Sequence, residues 1–150
     1  MKDSEIINIV KPYTCVSNER ILQLIKAVEY VEYNQIPGDF IEIGVWKGGC
    51  IMIMMLKLIH LGKTRKIHLY DTFSGMTTPT EFDSDFNNIH AGNMFEAIKC
   101  EAPFEQVRRN INSIIEKFNY PKELIEYHKG DICKTPLEKI PQQIALLRLD

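Results

Sequence analysis

Several patterns that would place this chain in other classes of protein are missing from its sequence. The four cysteines never form a C-x-x-C pair, so neither a zinc knuckle nor a redox pair is indicated and we expect reduced, mostly structural thiols. Basic residues are not in excess, because 18 Lys and Arg stand against 20 Asp and Glu and the net charge is -2. No basic cluster is longer than residues 63–66. We therefore predict no nucleic-acid partner.

Long hydrophobic runs are also missing. The most apolar stretch, residues 51–61, is shorter than a membrane span and is interrupted by Lys57 and His60. The chain opens on mixed charges rather than on the hydrophobic region of a secretory signal. We therefore expect a cytoplasmic protein with no membrane partner.

Residues 38–49, with the sequence GDFIEIGVWKGG, are the most informative part of what is present. The apolar and β-branched residues of this stretch predict an interior strand of a parallel sheet. Gly44, Gly48 and Gly49 then indicate a tight turn, because glycine adopts positive φ and lets a ligand approach the backbone closely. The N–H groups that open a following helix attract polar or anionic ligand groups. This order of elements predicts a site for a nucleotide-type cofactor.

The chain beyond the turn continues the same pattern. Residues 51–61 predict a buried helix that ends near Gly62, and residues 67–70 predict a second strand that ends at Asp71. The carboxyl ends of adjacent parallel strands share one edge of a sheet, so Asp71 should face the same crevice as Gly44. A carboxylate in that place can accept hydrogen bonds from both ribose hydroxyls of a cofactor.

The spacing of the glycines separates two classes of cofactor. The G-x-G-x-x-G spacing of dinucleotide-binding proteins is absent, so an NAD-binding Rossmann domain is the less favoured alternative. Glu42, two residues before Gly44, is costly in an interior strand unless it has a function. S-adenosylmethionine has no pyrophosphate and carries an ammonium group that needs acidic or carbonyl partners. The pattern therefore favours S-adenosylmethionine, and an α/β domain with a glycine turn and no ligand is the remaining alternative.

Further elements of the same domain follow from periodicity. The predicted elements are helices over 19–33 and 104–118 and strands over 124–127 and 145–149. We expect residues 1–37 to form a helical cap that carries Tyr13 and Thr14 towards the cofactor; packing of Tyr13 against the domain alone is an equal alternative. Residues 72–103 are irregular and too long for an ordinary connection, so we expect a lid that shapes the acceptor pocket.

Five segments in register resemble the macrocin O-methyltransferase (TylF) family of S-adenosylmethionine-dependent enzymes. They are 13–20 (YTCVSNER), 38–49 (GDFIEIGVWKGG), 71–76 (DTFSGM), 130–135 (GDICKT) and 144–150 (IALLRLD). The resemblance implies a Rossmann-like class I methyltransferase fold, which is an α/β architecture with a mostly parallel sheet and flanking helices. We expect the cofactor to contact Tyr13, Thr14, Glu42, Gly44, Val45, Trp46, Gly48, Gly49, Asp71, Thr72, Phe73, Gly130 and Asp131.

Asp131 and the four histidines also have structural interpretations. By resemblance to adenosylmethionine-binding folds, Asp131 would lie near the adenine amine, and an N-cap role at the next short segment is equally favoured and compatible with it. The four histidines show no shared ligand spacing, so we expect each of them to be structural.

The resemblance also implies a function. It implies methyl transfer from S-adenosylmethionine to a hydroxyl of a sugar or glycosylated small molecule, assisted by a divalent metal such as Mg²⁺. Asp150 would be the first carboxylate ligand of that metal and the catalytic residue, whereas the family's other ligands come later in its sequence. We therefore expect one domain over 1–150 that is truncated after about the fourth strand and binds cofactor without turnover. A non-catalytic methyltransferase-like protein is the alternative, and the family also suggests a homo-oligomer.

Overall fold

The sheet is parallel throughout, which confirms the predicted Rossmann-like α/β class. A computed structural model describes residues 1–98 and 100–149, and within these ranges four strands lie in the order β3-β2-β1-β4. The strands are β1 (Asp39–Ile43), β2 (Ile67–Asp71), β3 (Ile125–Lys129) and β4 (Ile144–Leu149). Because all of them run in one direction, their carboxyl ends meet at one edge, where parallel sheets bind ligands.

The α-helices of the described residues precede and connect these strands. They are α1 (Asp3–Val10), α2 (Asn18–Tyr33), α3 (Gly49–His60), α4 (Phe95–Ile98) and α5 (Phe104–Phe118). Ser17 caps α2 by accepting a hydrogen bond from the N–H of Arg20. Helix α1 was not among the predicted elements, although Ile6 and Val10 stand one turn apart and both are buried.

Helix α3 is the centre of the apolar core, and α1, α2 and α5 all contact it. It is almost wholly apolar and buried from Gly49 to Leu58, as the sequence predicted. Lys57 is only 3% exposed, and two carboxylates compensate its charge: Asp3 at 3.2 Å and Glu29 at 2.5 Å. The long apolar run therefore holds its one buried cation in a paired form, as burial requires.

Residues alternate between two faces of the sheet, and the register of the strands shows which residues share a face. The helix-covered face carries Phe40, Glu42, Ile67, Leu69, Ile125, Leu146 and Arg148. The second face carries Ile41, Ile43, His68, Tyr70, Glu126, His128, Leu147 and Leu149. Apolar residues of the helix-covered face belong to the main core cluster, whereas Ile41 and Tyr70 are buried outside it.

The segment after β3 covers part of the second face. The hydroxyl of Tyr70 donates a hydrogen bond of 2.5 Å to the carbonyl of Lys139, which fixes this segment over the strands. Leu147 and Leu149 on the edge strand β4 remain 51% and 65% exposed.

The described part of residues 72–103 contains little regular structure. Its main features are a short helical turn at Ala91–Asn93, helix α4 and an isolated bridge between Ser84 and His90. Phe82 and Phe86 are 86% and 94% exposed. Among the described residues, no helix is both long and apolar enough to span a membrane.

Candidate cofactor site

The turn between β1 and α3 has the backbone geometry that the glycines predicted. Gly44 has φ 82° and Gly48 has φ 89°, both in the left-handed region that glycine adopts without strain. The N–H of Gly44 donates to the carbonyl of Tyr70, so the turn begins where β1 is still joined to β2. Helix α3 then starts at Gly49, and its first N–H groups lack acceptors within the helix.

Asp71, at the end of β2, is the main organiser of this turn. Its Oδ2 accepts hydrogen bonds from the N–H of Val45 at 2.6 Å and of Trp46 at 3.2 Å. Its Oδ1 accepts from the N–H of Phe73 at 2.6 Å. The carboxylate therefore joins the ends of β1 and β2, and only part of its accepting capacity is left for a ribose hydroxyl.

A cavity of about 420 Å³ lies at this edge of the sheet. Six of the predicted cofactor residues line it: Gly44, Trp46, Asp71, Thr72, Gly130 and Asp131. Its other walls come from the second face of the sheet and from the neighbouring segments: Ile43, Tyr70, Gly75, Met76, Thr77, Cys100, Ile132 and Cys133. A carboxylate among apolar walls is suited to a ligand with both a ribose and a flat heterocycle.

A second cavity of about 170 Å³ adjoins the first, and Trp46 and Cys100 line both. The residues that line it and were predicted to contact the cofactor are Tyr13, Thr14, Glu42, Val45, Trp46 and Gly49. The remaining walls are Cys15, Val16, Arg20 and Cys50. Acidic, basic and hydroxyl groups therefore surround this smaller space, which is a suitable environment for a charged amino acid group.

Glu42 lies in this second cavity and is 1% exposed. Its Oε1 accepts a hydrogen bond of 2.6 Å from Arg148 on β4, whose side chain is 12% exposed. The pair supplies a structural reason for an acid in an interior strand that the sequence alone did not reveal, since the two residues are far apart along the chain.

Gly49 explains how the N-terminal segment reaches the site. A Cβ at this position would lie 2.6 Å from the Cβ of Thr14 and 2.6 Å from the carbonyl oxygen of Tyr13. Only glycine allows the start of α3 to approach that segment so closely. The Tyr13–Thr14 segment therefore packs against the glycine turn and also lines the second cavity.

Asp131 caps the short helical turn that follows β3. Its Oδ1 accepts from the N–H of Cys133 at 2.9 Å, which is the N-cap role weighed above, and the residue also lines the larger cavity. Gly130 is held at the same edge because its N–H donates to the carbonyl of Asp71 at 2.9 Å. Thr72 closes the next turn by donating from Oγ1 to the carbonyl of Gly75.

Three predicted residues are placed differently. Gly48 lies in the turn without lining either cavity, and the ring of Phe73 packs edge-on against Phe104 in the apolar core. The Phe73 side chain is thus directed away from the two cavities, and only its backbone reaches Asp71. Asp150, the predicted metal ligand and catalytic residue, lies outside the described residues.

Sequence reasoning missed several residues that line the site. Tyr70 was assigned only to the second strand, and Cys100 only to the irregular segment, yet both line the larger cavity. Alternation along β2 offered a signal for Tyr70, since it identifies the residues of one face. The approach of Cys100 depends on the path of a long loop, for which the sequence holds no comparable signal.

The described residues do not provide an Mg²⁺ site. The group of three side chains among them that is arranged for a metal is His68, Glu126 and His128, whereas Mg²⁺ requires oxygen ligands.

The fold and the crevice define a class of protein. A parallel sheet in which the glycine turn after β1 and the acid at the end of β2 meet at one edge is a Rossmann-like fold. The particular family follows from comparison with known sequences. The chain belongs to the macrocin-O-methyltransferase (TylF) family, whose model matches residues 10–150.

Individual relatives agree with this assignment. The chain is 30% identical over 145 residues to 8-demethyl-8-(2,3-dimethoxy-alpha-L-rhamnosyl)-tetracenomycin-C 4'-O-methyltransferase of Streptomyces olivaceus, and the match covers 92% of this chain and 51% of that protein. Its structure resembles that of the O-methyltransferase NovP, with a TM-score of 0.73 and 25% identity over 92% of this chain and 55% of NovP. The fold also resembles that of the calicheamicin methyltransferase CalS11, with a TM-score of 0.64 and 17% identity over 99% of this chain and 65% of CalS11. The chain spans about half the length of the curated relatives that it matches.

Proposed function

We propose that this protein serves S-adenosylmethionine-dependent O-methylation of a hydroxyl on a sugar or glycosylated small molecule, and that the two joined cavities bind the methyl donor. The observation that carries this proposal is the shared edge at which Gly44, Asp71 and Asp131 line one cavity. Family membership supports O-methylation as the reaction. The rhamnosyl group in the name of the Streptomyces olivaceus relative supports a glycosylated acceptor.

Each part of the cofactor has chemically suited partners in the crevice. The remaining accepting capacity of Asp71 suits a ribose hydroxyl, and Asp131 suits the exocyclic amine of adenine. The smaller cavity, with Glu42, Thr14 and the start of α3, suits the amino acid part. Trp46 lies where the two cavities meet, so it would be close to the sulfur atom between these two parts.

The contribution of these residues to the reaction is alignment. The bound cofactor supplies a methyl group on a positively charged sulfur, which is already activated for displacement by a hydroxyl oxygen. The glycine turn and Asp71 hold the donor's adenosine part in one position, because three backbone hydrogen bonds fix the carboxylate. Fixing the donor against an acceptor hydroxyl lowers the entropy cost of bringing them together.

We further propose that residues 72–103 close over the acceptor. The segment leaves β2 next to the cavity, lines it at Gly75–Thr77 and returns to it at Cys100. Between these contacts it exposes the aromatic rings of Phe82 and Phe86. These rings can exclude water from methyl transfer once the segment closes. Assistance by Mg²⁺ with Asp150 as a ligand, and a homo-oligomeric state, stay predictions from the family resemblance.

The cofactor proposal is tested by the fluorescence of Trp46, the only tryptophan in the chain. In the purified chain, the emission of Trp46 should change as S-adenosylhomocysteine is added and reach a plateau when the site is saturated. NAD should have no such effect. Asp71→Ala should abolish the change, while Asp85→Ala, in an exposed turn of the irregular segment, should retain it. A response to NAD alone would favour the dinucleotide alternative, and a folded chain that responds to neither ligand would contradict a cofactor site.

Closure of the irregular segment is tested by amide hydrogen exchange. We compare S-adenosylhomocysteine, the product of the methyl donor, alone and together with a rhamnosylated acceptor. The two ligands together should slow exchange in residues 72–103 more than S-adenosylhomocysteine alone does. Helix α2 serves as the internal reference. Equal exchange in the segment under both conditions, although the cofactor product binds, would contradict closure over the acceptor.

A further inference from the structure

We propose that His68, Glu126 and His128 form a binding site for a divalent ion of the zinc class on the second face of the sheet. The three residues come from neighbouring strands, since His68 pairs with Glu126 and Tyr70 pairs with His128 in the β2–β3 register. Alternation places their side chains on the same face. The sequence shows no ligand spacing because the strand register, rather than a short motif, brings them together.

The distances between the donor atoms agree with one ion shared by three ligands. Nδ1 of His68 lies 3.1 Å from Nε2 of His128 and 3.5 Å from Oε2 of Glu126. Nε2 of His128 lies 3.7 Å from the same oxygen. Ligands about 2.0–2.1 Å from a tetrahedral Zn²⁺ are roughly 3.3 Å from one another. The three separations lie on both sides of that value, so a small movement suffices to bind an ion.

Asp39 fixes the orientation of His68. Its Oδ2 lies 2.9 Å from Nε2 of His68, and a carboxylate only accepts hydrogen bonds, so the ring carries its proton on Nε2. The lone pair of Nδ1 then faces His128 and Glu126. Carboxylates that hold metal-binding histidines in this way are typical of zinc sites. Asp39 is therefore a positioning residue of the proposed site.

Two further contacts prepare the other ligands. Lys66 pairs with Oε1 of Glu126 at 2.5 Å, which leaves Oε2 directed towards the histidines. The ring of His128 stacks on Tyr70 with centroids 4.3 Å apart, so its rotation is restricted. His68 is nearly buried, whereas Glu126 is 39% exposed and leaves a path for an ion and a fourth ligand such as water.

The donor set selects the class of ion. Two imidazole nitrogens and one carboxylate oxygen suit Zn²⁺, Co²⁺, Ni²⁺ or Cu²⁺, whereas Mg²⁺ prefers oxygen ligands alone. This site is separate from the proposed methyl-donor site, because none of its three ligands lines the two cavities described above. Tyr70 connects the two places, since it stacks on His128 and lines the larger cavity. An ion here would join β2 to β3 directly beneath the cofactor crevice.

The proposal is tested by titrating Co²⁺ into the untagged 150-residue chain and recording its visible absorption. To remove thiolate ligands, the chain carries Cys15→Ser, Cys100→Ser and Cys133→Ser, which replace the exposed cysteines. We expect one bound Co²⁺ with the absorption of a four-coordinate nitrogen and oxygen site, and displacement by Zn²⁺. Circular dichroism is recorded for each variant to check that it is folded.

Variants distinguish this site from adventitious binding. Glu126→Gln and His128→Gln should each weaken Co²⁺ binding at least tenfold. The control variant His60→Gln changes the exposed last residue of α3, away from the proposed ligands on β2 and β3, and should leave binding unchanged. Asp39→Asn should weaken binding about 10–100-fold and shift the absorption bands, which a purely structural residue would not do. A folded chain that binds no Co²⁺, or binds it equally well in Glu126→Gln and His128→Gln, would overturn the proposal. Glu126 is partly exposed, so its variant tests the site even if a histidine variant fails to fold.

Discussion

The two faces of the sheet differ in chemistry although the same strands form them. On the helix-covered face, Phe40, Leu69 and Leu146 belong to the apolar core, and the buried acid Glu42 is paired with Arg148. On the second face, His68, Glu126 and His128 are grouped with Asp39 and Lys66 in a connected polar network. One face therefore stabilises the fold by apolar burial, and the other retains groups that can bind ligands.

The cofactor crevice lies where these two environments meet. Ile43 and Tyr70 of the second face line the larger cavity, and Glu42 of the helix-covered face lines the smaller one. Asp71 joins both parts through its hydrogen bonds to the turn. Because the two faces differ, substitutions on them should change stability and ligand binding by different amounts.

Removal of the charge on Glu42 should have the largest effect. Glu42→Gln replaces the buried carboxylate that accepts from Arg148 at 2.6 Å by a neutral amide, so we expect the free energy of unfolding in urea to fall by about 3–5 kcal/mol. Glu105→Gln is the matched control, because the Glu105–Arg108 pair at 2.9 Å is about half exposed. That change should cost less than about 1 kcal/mol. Equal losses in the two variants would contradict the role of the buried pair.

Leucines on the two faces give a matched comparison of burial. Leu69→Ala on the helix-covered face should lower the free energy of unfolding by about 2–5 kcal/mol, since Leu69 is fully buried in the main core. Leu147→Ala on the second face should cost roughly 0.5 kcal/mol or less, because half of that side chain is exposed. Urea denaturation measures both, and similar losses would refute the difference between the faces.

Gly49→Ala tests the close approach between α3 and the N-terminal segment. The new Cβ would meet Thr14 and the Tyr13 backbone at 2.6 Å, so we expect a loss of about 1–3 kcal/mol and weaker binding of S-adenosylhomocysteine. Gly62→Ala is the control, since a Cβ there meets nothing within 4 Å, and it should reduce stability through its positive φ without changing ligand affinity. If Gly49→Ala binds S-adenosylhomocysteine with unchanged affinity, the N-terminal segment does not contribute to the ligand site.

The last comparison concerns Tyr120, whose effect on stability depends on pH. Burial raises the pKa of Tyr120 to about 12, and its hydroxyl donates to the carbonyl of Arg65. The folded protein therefore holds this proton more tightly than the unfolded chain, whose tyrosines titrate near about 10. Stability from this group is complete below pH 10 and is lost towards pH 12, by up to about 1.4 kcal/mol per pH unit.

Two tyrosine variants check this pH dependence. Tyr120→Phe should make the fall in unfolding free energy between pH 10 and 12 shallower, while Tyr33→Phe, which changes an 87% exposed side chain, should retain the original slope. Burial also raises the pKa of Tyr127 to about 12, so part of the slope should persist in Tyr120→Phe. The same slope in Tyr120→Phe as in the unchanged chain would refute the contribution of Tyr120.

Local patterns in the sequence predicted much of the fold. Apolar periodicity predicted α2, α3 and α5, and apolar or β-branched runs predicted the four strands, because these signals depend on nearby residues. The boundaries moved by up to two residues, and α1 was missed because its short apolar spacing is weak evidence for a helix. Most of the residues that the family resemblance assigns to the cofactor line the two adjoining cavities, and their contact with a cofactor stays a prediction.

Interactions between distant residues were not predictable from the sequence. Glu42 was predicted to bind cofactor because an unpaired acid in a strand is costly, yet its partner Arg148 lies on the neighbouring strand β4. His68 and His128 were predicted to be structural because they share no local spacing, yet the β2–β3 register brings their rings into contact. Such pairs depend on strand order and register, which local patterns do not specify.

The most direct test of the central claim is to record backbone amide NMR spectra of the chain while S-adenosylhomocysteine is added. If the crevice at the ends of β1, β2 and β3 binds the cofactor, the amides of Gly44, Gly49 and Gly130 should shift with a common saturation curve. The amides of Gly62 and Gly92, which line neither cavity, should remain in place. Shifts confined to other regions, or an unchanged spectrum of the folded chain, would contradict the claim.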